Sequence, residues 1–293
     1  MRFRPSDNRA GRLGAIAARA LASLAALLLA TAGAAAQDAR AWAGFTSPAP
    51  GPAESIGAAA NGCIQGAVQL GESGPGYRAV RLSRNRHWGH PVTIAFVHEL
   101  AAAAAKAGLA TLYIGDIGQV RGGPLPFGHA SHQTGLDVDV WFNLAAKPAV
   151  EPPAARENIA TPSLVLAGPP PRIDPAQIRP GHLTLMRLAA THPSVDRVLV
   201  NPAIKRHLCE TVTGDRSWLR RMRPWWGHDS HMHVHMRCPS DSPSCRDPPP
   251  IPPGDGCDAT LAWWFSQPPV PAARPSAPRP ALPAACVALG RVP

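Results

Sequence analysis

The sequence predicts an α+β fold in which a small antiparallel sheet is flanked by helices and long loops and is stapled by disulfides. Three observations favour this class. Predicted strands and helices are mixed without the regular alternation that builds a parallel α/β sheet. The 293 residues include 35 prolines and 26 glycines, too many for a helical bundle. All six cysteines follow residue 62, and their even number favours disulfides.

The predicted elements follow one another between residues 90 and 238. Residues 90–108 form a helix, because Pro91 stands near the start, apolar residues recur at helical spacing and Gly108 suits a C-cap. Strands are predicted at 111–117, 136–144, 196–201 and 231–238. Two more helices are predicted at 182–192 and 202–212, the second with Pro202 at its first position.

The first 36 residues have the pattern of a secretory signal peptide. A region with five arginines precedes the apolar run 20–31, and Ala34-Ala35-Ala36 offers a cleavage site. An uncleaved membrane anchor is the alternative, since the apolar run approaches spanning length. After cleavage we expect no integral membrane segment.

The rest of the chain divides into three parts. Residues 37–54 are rich in Ala, Gly and Pro and are predicted to be flexible. Residues 55–265 form one folded domain. Residues 266–293 form a proline-rich tail that Cys286 tethers.

The positive charge does not indicate a nucleic-acid binder. The formal net charge is +10, of which the leader contributes +4 through five arginines and Asp7, leaving +6 for the exported chain. The remaining arginines are scattered rather than grouped in a stripe. A modest positive charge also suits the anionic polymers of a bacterial envelope.

Three disulfides are expected among the cysteines, although six cysteines allow 15 connectivities. Cys238 and Cys245 bracket CPSDSPSC, a turn-rich loop that is short enough to close locally. For the others we expect Cys209 with Cys257, and Cys63 with Cys286. A cysteine-based zinc site is disfavoured, since no C-x-x-C occurs.

Two predicted strands carry combs of polar side chains. Residues two apart in a strand share a face, so LDVDVW places Asp137 and Asp139 together, and HMHVHM does the same for His231, His233 and His235. Buried carboxylates need a partner. A catalytic zinc takes three N or O ligands from the protein, and His132, Asp139 and one histidine of the second comb would supply them.

Four sequence blocks resemble the penicillin-insensitive murein endopeptidases, which are zinc peptidases related to D-Ala-D-Ala dipeptidases and lysostaphin-like enzymes. The blocks are SRNRHWGHP (83–91), GHASHQTGLDVDVW (128–141), VLVNPAIKRHLC (198–209) and HDSHMHVHMRCP (228–239). The resemblance covers about residues 55–265. It implies a periplasmic zinc hydrolase that cuts the D-alanyl–meso-diaminopimelyl cross-links of peptidoglycan and is insensitive to β-lactams.

The resemblance also implies roles for individual residues. His132, Asp139 and His233 would be the zinc ligands, and His231 the general base. His129 and His228 would flank the site, His129 as a further metal contact. From the chemistry of such a metal site, and not from the resemblance, zinc and a nearby donor, His228, Arg84 or Arg86, would stabilise the oxyanion. Some members of the family hold a second metal, but its Asp and His would fall in the stretch LVLAGPPPRID, which has no such pair. We therefore expect one zinc.

Several interpretations stay open at this point. Arg84, Arg86 and Trp88 either bind the acidic stem peptide or form an exposed basic loop. Asp137 either orients a ligand histidine or is a solvated edge carboxylate. An inactive, zinc-stabilised module that binds cell-wall peptide is the alternative function, although such a module would be expected to lose His231 or a ligand.

Overall fold

A seven-stranded sheet forms the centre of the structure. The structure is a computed structural model, and it describes residues 38–267 and 280–291. The predicted signal peptide, residues 1–36, lies outside the described residues. Helices and strands are mixed as the sequence predicts, which confirms the α+β class. Within the described residues, no helix combines the length and the apolar character that crossing a membrane requires.

Six α-helices occur in the described part of the chain. They are α1 (Ala39–Ala43), α2 (Pro91–Lys106), α3 (Pro180–Thr191), α4 (Pro202–Thr211), α5 (Ala259–Ser266) and α6 (Ala284–Leu289). Proline opens α2, α3 and α4, where its missing N–H costs nothing. The three helices predicted from sequence agree with α2, α3 and α4 to within two residues.

The strands are mostly short. They are β1 (Glu54–Ala58), β2 (Asn61–Gln65), β3 (Val68–Gln69), β4 (Ser73–Gly74), β5 (Tyr77–Ala79), β6 (Trp88–Gly89), β7 (Leu112–Ile114), β8 (Asp137–Trp141), β9 (Val165–Leu166), β10 (Arg172–Ile173), β11 (Val195–Val200), β12 (Met222–Pro224) and β13 (His231–Met236). The four predicted strands correspond to β7, β8, β11 and β13.

The central sheet has the order β12-β11-β13-β8-β7-β5-β4. Its middle pairs, β11 with β13, β13 with β8 and β8 with β7, are antiparallel as expected. Towards the edges β12 runs parallel to β11, and β5 parallel to β7. The sheet is therefore antiparallel at the predicted site and mixed outside it.

The two faces of β8 and β13 differ in polarity. Val138, Val140, Met232 and Val234 belong to one buried core that also contains apolar residues of α2 and α3. Because side chains alternate along a strand, the opposite face of both strands carries the aspartates and histidines. The helices thus anchor one side of the sheet and leave the other to form a site.

The segment before β1 has fixed structure, in contrast to the flexible segment expected for residues 37–54. The Asp38 carboxylate caps α1 by accepting a hydrogen bond from the Arg40 backbone at 2.9 Å. Trp42 is buried in a small cluster with Cys63 and Cys286. The physical reason for the difference is that the core covering this segment comes from α6, more than 200 residues away.

Three disulfides tie the chain together. Cys63–Cys286 joins β2 to α6, Cys209–Cys257 joins α4 to the segment before α5, and Cys238–Cys245 closes the loop after β13. These are the same pairs that the sequence analysis proposed. Of the predicted tail, residues 268–279 and 292–293 lie outside the described residues.

Candidate metal centre

The pairing of β8 with β13 brings the two polar faces together. In this register His231 lies opposite Trp141, His233 opposite Asp139, and His235 opposite Asp137. Directly paired side chains on one face have Cβ atoms about 5 Å apart. The two combs therefore form a single patch of imidazoles and carboxylates.

Four side chains form a cluster of potential metal ligands, namely His129, His132, Asp139 and His233. One ligand atom from each lies within 4.8 Å of all the others. Asp139 Oδ1 lies 3.4 Å from His132 Nε2 and 3.3 Å from His233 Nδ1. Asp139 Oδ2 lies 3.2 Å from His129 Nε2. Imidazole and carboxylate donors are those that zinc takes in catalytic sites.

Three atoms at the centre of this cluster are buried without a hydrogen-bond partner among the described residues. They are His132 Nε2, Asp139 Oδ1 and His233 Nδ1. Each unsatisfied buried polar atom costs about 1–3 kcal/mol, and folded proteins seldom leave several together. A divalent cation coordinated by their lone pairs would remove that cost. The residues present therefore fit a metal such as zinc.

The outer nitrogen of each central histidine is fixed by a hydrogen bond. His132 Nδ1 lies 2.8 Å from the Ile117 carbonyl oxygen, and His233 Nε2 lies 2.9 Å from Asp137 Oδ1. We assign the ring protons to these nitrogens because both acceptors carry no hydrogen. The opposite nitrogens then present lone pairs to the cluster, as in metal-binding histidines generally.

Asp137 is buried and holds several groups of the site at once. Only 1% of its surface is exposed. Besides the bond to His233, Oδ1 accepts from His235 Nδ1 at 2.8 Å, and Oδ2 accepts from the His132 backbone N–H at 3.0 Å. These contacts favour the orienting role over the solvated edge carboxylate. His235 contacts the site through Asp137.

The loop leading into β8 has a demanding backbone. His132 has φ 65°, in the left-handed region, where a residue with a side chain costs about 1–3 kcal/mol. Gly135 has φ 71°, and a Cβ there would approach the His90 nitrogen to 3.0 Å and Gly89 Cα to 3.1 Å. Glycine at 135 therefore allows the tight turn that brings His132 back over Asp139.

Burial and charge oppose each other inside the cluster. Burial by itself would raise the pKa of Asp139, but His231 and His132 hold it well below its usual value. Burial would lower the pKa of His233, but its hydrogen bond to Asp137 and the two aspartate charges raise it to about 10. Since a ligand nitrogen must be unprotonated, a proton and a cation compete for His233 Nδ1.

His129 lies beside the cluster between two carboxylates. Its Nε2 is 3.6 Å from Asp116 Oδ2 as well as 3.2 Å from Asp139 Oδ2. Burial lowers the pKa of His129 to about 4 despite these charges. At neutral pH its ring is therefore uncharged, which is the form that binds metals.

His231 stands at the open edge of the cluster. Its Nε2 is 3.6 Å from Asp139 Oδ1 and is buried with no hydrogen-bond partner among the described residues. Its Nδ1 lies 3.4 Å from Ser230 Oγ. This position suits a group that accepts a proton from a reactant beside Asp139.

His228 adjoins His231, with ring centroids 5.2 Å apart. Burial, together with the neighbouring histidines His233 and His231, lowers the pKa of His228 to about 4. Its Nδ1 lies 2.9 Å from the Trp226 carbonyl oxygen, to which it donates its hydrogen. The neutral ring then has no hydrogen on Nε2, which argues against His228 as an oxyanion donor.

The three residues predicted to bind substrate have different surroundings. Arg84 and Arg86 both pair with Asp116 Oδ2, at 3.2 and 3.0 Å, and Arg86 is buried. Trp88 donates its Nε1–H to Asn85 at 2.8 Å. Of the three, Arg84 also borders the cavity at the cluster. A substrate contact stays a prediction, and the geometry favours it most for Arg84.

Among the described residues, side chains of the site border at least two cavities. One, of about 150 Å³, is lined by the side chains already described and by residues that the sequence analysis did not single out, including Arg81, Thr161 and Ser230. Arg81 and Thr161 reach the site from loops, so no local pattern marks them. A wider cavity, of about 550 Å³, touches His129 and His228 and is walled by Trp225, Trp226 and Trp264.

The stretch proposed to lack a second metal site adds no ligand to the cluster. Asp174 is the one acidic residue of LVLAGPPPRID, and its side chain accepts from the Ala176 backbone N–H at 2.8 Å. It is not part of the four-residue group.

Comparison with known proteins points to one family. A sequence profile described as penicillin-insensitive murein endopeptidase matches residues 55–290. Curated proteins of that name include one from Klebsiella pneumoniae, 42% identical over 89% of this chain and 94% of its own length. One from Haemophilus influenzae is 42% identical over 81% and 83%, and one from Escherichia coli is 41% identical over 90% and 96%.

Proposed function

The chain belongs to the penicillin-insensitive murein endopeptidase family, and from this premise we propose that it is a zinc hydrolase that cuts D-alanyl–meso-diaminopimelyl cross-links of peptidoglycan. The chain is a metal-dependent peptidase that acts on peptidoglycan. We propose zinc as the metal and the D-alanyl–meso-diaminopimelyl bond as the bond that is cut. Action on the cell wall places the enzyme outside the cytoplasm, and the sequence of residues 1–36 favours the periplasm.

One observation carries the proposal. His132 Nε2, Asp139 Oδ1 and His233 Nδ1 converge as buried atoms that have no partner among the described residues. We assign these three residues as the zinc ligands, with His129 as a further contact. When bound there, zinc would lower the pKa of a water molecule to about 7 and polarise a carbonyl group.

The protein's own groups handle the proton. His231 Nε2 lies 3.6 Å from Asp139 Oδ1 and has no hydrogen-bond partner among the described residues, so its unprotonated form would be placed to take a proton from the attacking water. The same ring can return that proton to the leaving amine. The neighbouring His228 stays neutral: it donates its one ring hydrogen to the Trp226 carbonyl, and its Nε2 can only accept. For the developing charge on the scissile carbonyl, Arg84 is the better candidate, since it borders the cavity at the cluster, whereas Arg86 is buried and pairs with Asp116.

No serine nucleophile enters this scheme. A β-lactam inhibits by acylating an active-site serine, so an enzyme of this kind would be unaffected. This agrees with the name of the family. The inactive binding module is not favoured. The relatives of this chain are named endopeptidases, and the chain keeps His231 beside the four clustered residues His129, His132, Asp139 and His233.

The test uses residues 37–293 and a purified cross-linked muropeptide dimer. We expect mass spectrometry to show two monomers whose masses identify the bond cut. A chelator should stop the reaction and added zinc restore it, whereas His132→Ala should be inactive under all conditions. As a matched control, His207→Ala removes a histidine on α4 outside the cluster and should leave the rate unchanged. An intact dimer, with about one zinc bound per chain, would overturn the proposal.

A further inference from the structure

Arg81 occupies an unusual place beside the metal cluster. It follows β5 and has φ 56° and ψ 43°, in the left-handed region. Its backbone N–H donates to the Arg156 carbonyl at 3.2 Å. This turn directs its side chain into the cavity of about 150 Å³ that Asp139 and His231 also line.

An aromatic ring holds the Arg81 guanidinium in position. Its central carbon lies 4.6 Å from the ring centre of Trp141. Trp141 is two residues after Asp139 on β8, so both side chains lie on the same face of the sheet. Stacking on an aromatic face leaves the guanidinium N–H groups at its edge free to bind an anion.

Arg81 differs from Arg84 and Arg86 in forming no ion pair among the described residues; the charges of Asp116 and Asp139 act on it only at longer range. Arg84 and Arg86 share Asp116, and Asp139 belongs to the ligand cluster. Within residues 38–267 and 280–291, no hydrogen bond or ion pair involves the Arg81 guanidinium. The cavity therefore contains a fixed cation with unused donors close to the reacting centre.

A second polar group in this cavity also has no partner. The Thr161 hydroxyl is buried and makes no hydrogen bond within the described residues. Unsatisfied buried hydroxyls are uncommon in native structures. A ligand oxygen in the cavity would satisfy Thr161 and Arg81 together.

We propose that Arg81, assisted by Thr161, binds the free carboxylate that adjoins the scissile bond of the cross-link. This inference rests on the proposed function. In a D-alanyl–meso-diaminopimelyl bond, the carbon that carries the acylated nitrogen also carries a carboxylate. The carboxylate is only a few bonds away from the scissile carbonyl. When that carbonyl lies at the ligand cluster, the carboxylate is therefore close to the same cavity. Arg81 is thus a specificity-determining residue for the acyl-acceptor side.

The experiment compares two substrates that differ at one group. One is the cross-linked peptide dimer with this carboxylate free, and the other carries a carboxamide there. For the wild type we expect kcat/KM to be about 10- to 100-fold higher for the free acid, the range of one lost charge-assisted contact. Arg81→Gln should slow cleavage of the acid by a similar factor and of the amide by less than about 3-fold.

Two further variants keep the test interpretable. Arg81→Lys retains the charge and should keep part of the preference for the acid. Arg187→Gln removes an exposed arginine on α3 and should match the wild type on both substrates. Melting temperature and bound zinc are measured for each variant, so that a folding defect is recognised as loss of both.

The outcomes separate this inference from the function. If wild type cleaves acid and amide equally well, the carboxylate contact is wrong while the endopeptidase function stands. If Arg81→Gln and Arg81→Lys slow both substrates equally, with zinc and melting temperature unchanged, Arg81 acts on the carbonyl instead and the inference falls. If wild type cleaves neither, both proposals fail.

Discussion

Replacing Asp137 by asparagine tests whether this buried carboxylate organises the metal centre. The change keeps the size of the side chain and removes its charge. Oδ1 accepts from His233 and His235, and Oδ2 accepts from the His132 backbone N–H. An amide has one acceptor oxygen and one donor nitrogen. It can therefore accept hydrogen bonds either from the two histidine rings or from the His132 N–H, but not from both.

Either orientation of the new amide leaves a conflict. With its oxygen towards the two histidines, its NH₂ meets the His132 N–H at 3.0 Å. With its oxygen towards His132, its NH₂ faces His233 and His235. At least one buried N–H is left unsatisfied, at a cost of about 1–3 kcal/mol. Metal affinity should fall about 10- to 100-fold, the usual effect of losing an orienting group.

The assay is competition for zinc with a chromophoric chelator at pH 7.5, together with urea unfolding at fixed free zinc. Asp215→Asn is the matched control, since Asp215 is exposed and pairs with Arg187 on the surface. We expect that control to equal the wild type in both measurements. If Asp137→Asn binds zinc within about 2-fold of the wild type, the orienting role of Asp137 is wrong.

Three other predictions concern the histidines of the site. His231→Gln should lower kcat on the muropeptide dimer by about 100- to 10,000-fold. Metal analysis should show an unchanged zinc content. Loss of zinc would instead make His231 a ligand. Zinc binding at pH 7 should release at least one proton per ion, because the pKa of His233 is raised to about 10. Calorimetry in buffers of different ionisation enthalpy measures the number of protons released. A value of zero would contradict the prediction. Burial lowers the pKa of His228 to about 4 in the folded protein. Below about pH 6.5 the unfolded chain therefore binds more protons than the folded protein, and the free energy of unfolding falls as the pH falls. This group should account for about 2 kcal/mol of that loss at pH 5. His228→Asn, which tolerates the left-handed φ of 52°, should show a smaller loss of unfolding free energy between pH 7 and 5; an unchanged loss would exclude His228 as its source.

Much of the architecture is determined by local sequence. Two local signals hold in the structure: proline at the first position of α2 and α4, and alternating side chains in β8 and β13. They hold because the packing of the core favours the same elements. The two combs were visible for the same reason, since a strand places residues two apart on one face whatever surrounds it. Strand alternation accounts for Asp139 and for one histidine of the second comb. It does not account for His132, which lies in the loop before β8, and the choice of His233 came from the family resemblance. The roles of these three residues stay proposals.

The tertiary structure decided everything that depends on distant segments. The register of β13 on β8 sets His233 against Asp139, and no pattern within either strand specifies it. The partners of Asp137, the aromatic support under Arg81 and the burial of Trp42 by α6 all join residues far apart in the chain. Local periodicity reports which face a side chain takes, whereas hydrogen bonding, ion pairing and burial depend on what the completed fold places opposite it.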